Sequence, residues 1–116
     1  MFDQFKQITS ILKHAGELRS RAEQLKGELE RTTLEAESSD GAVHLTLNGK
    51  GRVLSARIEP AALAAAAGDP AAADRLDQSL AEAFNQAHDQ VQQLLAEKIK
   101  EATGGMDLPR LDNMLG

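Results

Sequence analysis

Between residues 43 and 58 apolar and polar side chains alternate around a tight turn, and this short cassette lies between two amphipathic stretches too long for it to cover. Val43, Leu45 and Leu47 alternate with His44 and Thr46, Asn48-Gly49-Lys50-Gly51-Arg52 turns the chain, and Val53 to Ile58 returns and stops before Pro60. Strands of about six residues reach ~20 Å, whereas helices of about thirty residues run to ~45 Å. An apolar stripe left in water over half of each helix is unfavourable and sticky, so a second copy of the chain is expected to bury it. The expectation is a dimer with helical arms.

The first stretch, Phe2 to about Arg31, carries Phe5, Ile8, Leu12, Ala15, Leu18, Ala22, Leu25 and Leu29 at intervals of three and four, a helix stripe. The step Ala15-Leu18-Ala22 departs from a strict heptad repeat, which points to packing on a globular partner over part of the length. Gly16 and Gly27 each weaken the helix by roughly 1 kcal/mol relative to Ala, and mark places where another backbone comes close. Thr32 to Glu37 alternates weakly and reads as a first strand, closed by Ser38-Ser39-Asp40-Gly41. Asp40-Gly41 and Asn48-Gly49 both read as hairpin turns, since Gly reaches positive φ without steric cost. A three-stranded antiparallel meander follows, with Leu45, Leu47, Ala56 and Ile58 under the helices and His44, Thr46, Ser55 and Arg57 on the other face.

Beyond Pro60 the Ala-rich run Ala61 to Ala67 suits a short helix before Gly68. Asp69-Pro70 is a helix start, an N-cap acceptor followed by proline at the first position. The second long helix shows Leu76, Leu80, Ala83, Phe84, Ala87, Val91, Leu94, Leu95 and Ile99 on one face and stops at Thr103-Gly104-Gly105. The chain therefore reads as one α/β domain of the α+β type over residues 1–105, helix-strand-strand-strand-helix, with a flexible tail over 106–116.

Several functions lack the residues they need. Phe2, Phe5 and Phe84 are the only aromatic side chains, too few for the stacking platforms that bind single strands and RNA. Without cysteine there is no disulfide framework, thiolate zinc site or cysteine nucleophile. Asp3, Lys6 and Lys13 interrupt the apolar residues near the start, so neither a signal-peptide core nor a membrane span is expected and the chain reads as cytoplasmic. His14, His44 and His88 fall in no metal-binding spacing, and no nucleophile elbow, P-loop or dinucleotide fingerprint occurs. Neither an enzyme nor a cofactor is expected.

Charge is distributed unevenly. Residues 1–31 hold six Lys/Arg against five Asp/Glu, whereas residues 69–116 hold four against nine, within a formal net charge of −5. Anion binding must then come from local patches rather than bulk charge. One candidate is Lys50 and Arg52, flanking glycines whose amides could converge on a phosphate; the plainer reading is a solvated hairpin turn. Another is the line Lys6, Lys13 and Arg31, opposite the apolar stripe of the first helix at ~100° per residue, with Arg21 on the adjoining flank. Glu17 and Glu28 nearby support a merely solvated face. Lys98 projects onto the apolar side of the last helix, where its stem packs or its ammonium pairs with a carboxylate across the dimer; Lys100 points outward, and both suit the helix C-terminus.

In order and spacing the chain resembles the YbaB/EbfC family of nucleoid-associated DNA-binding proteins. The resemblance rests on the helix opening Met1-Phe2, the stretch Gly41 to Gly49, the return Val53 to Pro60, the signature Ala83-Phe84-Asn85-Gln86-Ala87, and the tail Gly104-Gly105-Met106 with Pro109. It implies a tweezer-like homodimer that binds duplex DNA with little sequence preference and helps organise the chromosome, in the nucleoid. The helical arms would make the contacts, here Lys6, Lys13, Arg21 and Arg31, with Lys98 and Lys100 after them. The Ala-rich segment and the acidic last helix depart from the family pattern. The rival reading is a non-enzymatic adaptor whose acidic C-terminal helices bind a basic DNA-repair or replication protein.

Overall fold

Two β-branched threonines end the first helix, α1 (Phe2–Arg31), in the computed structural model, which describes residues 2–102 and side chains from Lys6 onward. The Thr32 hydroxyl donates to the Glu28 carbonyl at 2.7 Å, occupying an acceptor of the last turn, and Thr33 opens the next strand. Strands β1 (Thr33–Glu37), β2 (Val43–Asn48) and β3 (Val53–Ile58) form an antiparallel meander in the order β1-β2-β3. A short helix α2 (Pro60–Gly68) and the long α3 (Pro70–Ala102) complete the chain. Asp69 caps α3 as its sequence suggests, its carboxylate accepting from the Ala71 amide at 3.0 Å. The expected helix stop at Thr103-Gly104-Gly105 and the tail 106–116 lie outside the described residues.

The core forms where α3 crosses β1 and β2. Ala36, Val43, Leu45 and Leu47 are buried against Ala83 and Ala87, whose small side chains bring the helix close to the sheet. Leu34, Ile58, Leu76, Leu80 and Val91 pack around them. The same helix closes the outer edge of β1. Gln86 accepts from the Glu37 amide at 2.7 Å, Glu82 accepts from the Ser39 amide at 2.5 Å, and Gln90 donates to the Glu35 carbonyl at 2.8 Å. These side chains, four residues apart, lie along one helix face and satisfy the strand groups that would otherwise invite another strand.

That placement corrects one expectation. Ala56, expected on the covered face with Leu45, Leu47 and Ile58, is exposed, because α3 lies over β1 and β2 and of β3 only Ile58 reaches the core. An irregularity between Thr46 and Leu47 also pairs Leu47 with Val53 and leaves Leu54 without an opposite residue. Val53 and Leu54 are consequently 41% and 56% exposed on the uncapped strand.

The two glycine turns also differ from each other. Gly41 has a φ of 74°, as an Asp-Gly turn requires, and the Asp40 side chain holds that turn to α3. Hydroxyls of Ser38 and Ser79 donate to the carboxylate at 2.6 Å each and the Ala42 amide at 3.0 Å, which lowers the Asp40 pKa to about 2. In the second turn the positive φ, 88°, falls at Gly51 rather than Gly49. Gly49 is required for a different reason. Its amide donates to the Leu29 carbonyl at 2.8 Å, and a Cβ there would stand 2.8 Å from that same oxygen and from a Leu94 methyl. The β2–β3 turn thus seats the C-terminal end of α1.

Candidate nucleic-acid interface

Only the last turns of α1 are packed. Leu29 is 8% exposed and Leu25 half-buried, whereas every side chain from Lys6 to Gln24 is exposed. At ~1.5 Å per residue this leaves an arm of roughly 25 Å in solvent. Its apolar positions have no cover, Ile8, Ile11 and Leu18 being 56–66% exposed. Between residues 6 and 26 the arm carries Lys6, Lys13, Arg19, Arg21 and Lys26 against Glu17 and Glu23, a local excess of positive charge in an acidic chain.

Lys6, Lys13 and Arg21 are exposed on this arm and make no ion pair among the described residues. Lys6 and Lys13 stand seven residues apart on the line opposite the apolar stripe, about 10 Å along the axis. Arg31, on the same line, folds its guanidinium back over Gly27, whose would-be Cβ lies 3.1 Å from a guanidinium nitrogen. Arg19 and Lys26 were not singled out from the sequence, because they lie on the opposite flank from Arg21. Only the exposure of the whole helix circumference gives them access to a ligand.

The other candidates occupy different surroundings. The Lys98 ammonium lies 3.5 Å from Glu28 and 3.6 Å from Glu101, joining α3 to α1 within one chain. Lys50 lies 3.4 Å from Glu30. Arg52 and Lys100 are exposed. The turn between Lys50 and Arg52 holds no free amide for a phosphate. The Lys50 and Arg52 amides both donate to the Asn48 side chain, at 3.0 and 3.1 Å, the Gly51 amide to the Asn48 carbonyl at 3.0 Å, and the Gly49 amide to Leu29. Any anion binding there falls to the two side chains alone.

On the open face of the sheet His44 sits between Glu37 at 3.3 Å and Glu59 at 3.1 Å, and Arg57 lies 3.4 Å from Glu59. Arg57 and His44 are both already engaged by carboxylates, so this face offers a phosphate backbone little. No group of three or more His, Asp or Glu side chains able to hold a metal ion occurs among the described residues. Nor is any described helix long and apolar enough to cross a membrane.

The profile of the YbaB/EbfC DNA-binding family matches residues 4–106. A nucleoid-associated protein of Gluconacetobacter diazotrophicus is 33% identical over 104 residues, covering 90% of this chain and 92% of its own. One from Rhodospirillum rubrum is 34% identical over 104 residues, with coverage of 90% and 92%. Among solved structures, an uncharacterized protein from Helicobacter pylori has a TM-score of 0.57 at 19% identity, over 72% of this chain and 90% of that one. At that identity the likeness concerns the fold alone.

Proposed function

The chain belongs to the YbaB/EbfC DNA-binding family, and we propose that it works as a homodimer whose α1 arms bind duplex DNA through phosphate neutralisation, with little sequence preference. The observation that carries this is the exposed arm with five cations against two carboxylates between residues 6 and 26. Lys6, Lys13 and Arg21 are the leading contacts. Arg31, Arg52 and Lys100 follow. Lys50 and Lys98 contribute less, because nearby carboxylates already offset their charge.

Dimerisation uses the bare edge of β3. It is the sheet edge that α3 does not close, and it presents Val53 and Leu54 beside unpaired strand groups. Two arms per dimer give two points of attachment, enough to bridge DNA segments and contribute to chromosome organisation, and a place in the nucleoid fits relatives that are named nucleoid-associated proteins. Neither catalysis nor a cofactor enters this reading. The adaptor alternative is less well supported, since Glu82 of the acidic helix is spent on the β1 edge and Glu101 on Lys98.

A gel-shift titration on duplex DNA across salt concentrations tests the proposal. Four arm cations per chain, Lys6, Lys13, Arg21 and Arg31, release on the order of eight counterions per dimer, so log affinity should fall with log salt at a slope near about −7. Lys13→Gln/Arg21→Gln should flatten that slope by about 3 to 4 units and weaken all DNA sequences alike. An unchanged slope in a folded double variant rules out the arms as the DNA contact.

A further inference from the structure

We propose that the solvent-exposed part of α1 docks an acidic amphipathic helix of a partner protein along its apolar seam. Taken through Ile11 rather than Leu12, the seam is a strict three-and-four repeat: Ile8, Ile11, Ala15, Leu18, Ala22, Leu25 and Leu29. That is the spacing with which one helix receives the side chains of another. Ile8, Ile11 and Leu18 are 56–66% exposed, and Leu12, 67% exposed, widens the seam on one flank. From Ile8 to Leu25 the seam runs ~26 Å, or nearly five helical turns.

The chain shows once how this seam meets a helix. At its lower end Leu29 is buried and Leu25 half-buried, and α1 and α3 together line an open cleft of about 470 Å³ there. Glu28 flanks the seam at that level and lies 3.5 Å from Lys98 of α3, so apolar contact is accompanied by a matched pair of charges. Ala102, the last described residue of α3, lines the same cleft. Above it no described residue covers the seam.

The flanking charges change sign along that uncovered part. Arg19 and Lys26 stand on one side and Arg21 on the other, each ~80° from the seam at ~100° per residue, while Glu17 and Glu23 are ~130° away. None of the three cations pairs with a carboxylate among the described residues. A helix laid on the seam therefore meets charge that Asp and Glu at its own flanking positions would match. A second copy of the arm brings the same cations instead. In a parallel pair in register Arg21 faces Lys26, in an antiparallel overlap it faces His14, and each arm holds five cations against two carboxylates between residues 6 and 26. Duplex DNA matches the cations but leaves the isoleucines and leucines in water. An acidic amphipathic helix satisfies both. Lys6 and Lys13 lie opposite the seam and stay open to phosphates, so the docking is separate from DNA binding and is tested without DNA.

The probe is a synthetic peptide of three heptads with leucine at the seam-facing positions and glutamate at every flanking position; its counterpart carries lysine at the flanks. Each is labelled and titrated with the full-length protein by fluorescence anisotropy. The glutamate peptide should bind at least tenfold more tightly than the lysine peptide. Ile11→Asn/Leu18→Asn should weaken that binding at least tenfold with the circular dichroism spectrum and oligomeric state unchanged, since both side chains are 66% exposed. Arg19→Glu/Lys26→Glu should cut the preference for the glutamate peptide at least fivefold. Equal affinity for the two peptides would overturn the proposal, as would a preference untouched by Arg19→Glu/Lys26→Glu. So would undiminished binding to Ile11→Asn/Leu18→Asn, which would reduce the contact to charge alone. A lower oligomeric state of that variant in sedimentation equilibrium would also overturn it, by making a second copy the occupant of the seam.

Discussion

Gly49 is the residue whose replacement tests how the arm is mounted. A Cβ at this position would sit 2.8 Å from the Leu29 carbonyl oxygen, 2.8 Å from a Leu94 methyl and 3.1 Å from the Leu29 Cα. The leucine methyl can rotate away, but the helix backbone cannot, so Gly49→Ala must push the end of α1 off the turn. The push strains the 2.8 Å bond from the Gly49 amide to Leu29 and the 3.1 Å bond to Thr32. Overpacking of this kind costs about 1–3 kcal/mol. Because φ at Gly49 is not positive, alanine recovers ~0.4–1 kcal/mol from a more restricted unfolded chain. The net loss should be about 1–2 kcal/mol, lowering Tm by roughly 5–12 °C in a chain of this size. Thermal unfolding followed by circular dichroism measures it. Gly16→Ala is the matched control: nothing lies within 4 Å of its added Cβ, and it should gain up to about 1 kcal/mol of helix stability. A Tm for Gly49→Ala equal to or above that of the unmutated protein would refute the seating of α1 on this turn.

Local pattern made most of the fold legible. The six elements follow from period-two and period-3.6 alternation, from Asp69-Pro70 at the head of α3, and from the threonines that end α1. What escaped the sequence depended on how the elements meet. The exposure of Ala56 follows from α3 lying on the β1 side of the sheet, a choice made by Gln86 and Gln90 bonding to strand backbone 49 and 55 residues earlier. Nothing in a glutamine's neighbourhood announces such a bond. Gly49 was legible as a turn glycine but not as the seat of α1, because the atoms it must avoid belong to residues 29 and 94. The cations divide the same way. Lys6, Lys13 and Arg21 could be placed on an outward surface by helical projection, whereas the pairing of Lys98 with Glu28 spans 70 positions. Net charge misdirects for a related reason: it sums over the chain, while phosphates respond to charges within a Debye length of about 10 Å at 0.1 M salt.

Asp40 ties stability to acid. Its folded pKa of about 2 lies below the ordinary 3.8, so its contribution is complete above about pH 4 and is lost as pH falls toward 2; Asp40→Asn should be less stable than the unmutated protein at pH 7, with the gap in urea midpoint closing by about pH 2. A gap that stays constant from pH 7 to 2 would mean that its bonds to Ser38, Ser79 and Ala42 do not anchor the β1–β2 turn. The bare edge of β3 makes the remaining prediction. Val53 and Leu54 are already 41% and 56% exposed, so Val53→Lys/Leu54→Lys should leave the protomer folded, while lysines on a strand edge oppose pairing with another strand. Sedimentation equilibrium should then show the dimer dissociating at a concentration at least tenfold higher than for the unmutated protein. The DNA salt slope should fall by about half, from eight phosphate contacts to four, because each freed protomer brings a single arm. A dimer of undiminished strength would move the interface away from β3, and a slope that holds while the dimer is lost would mean that one arm accounts for all the counterion release.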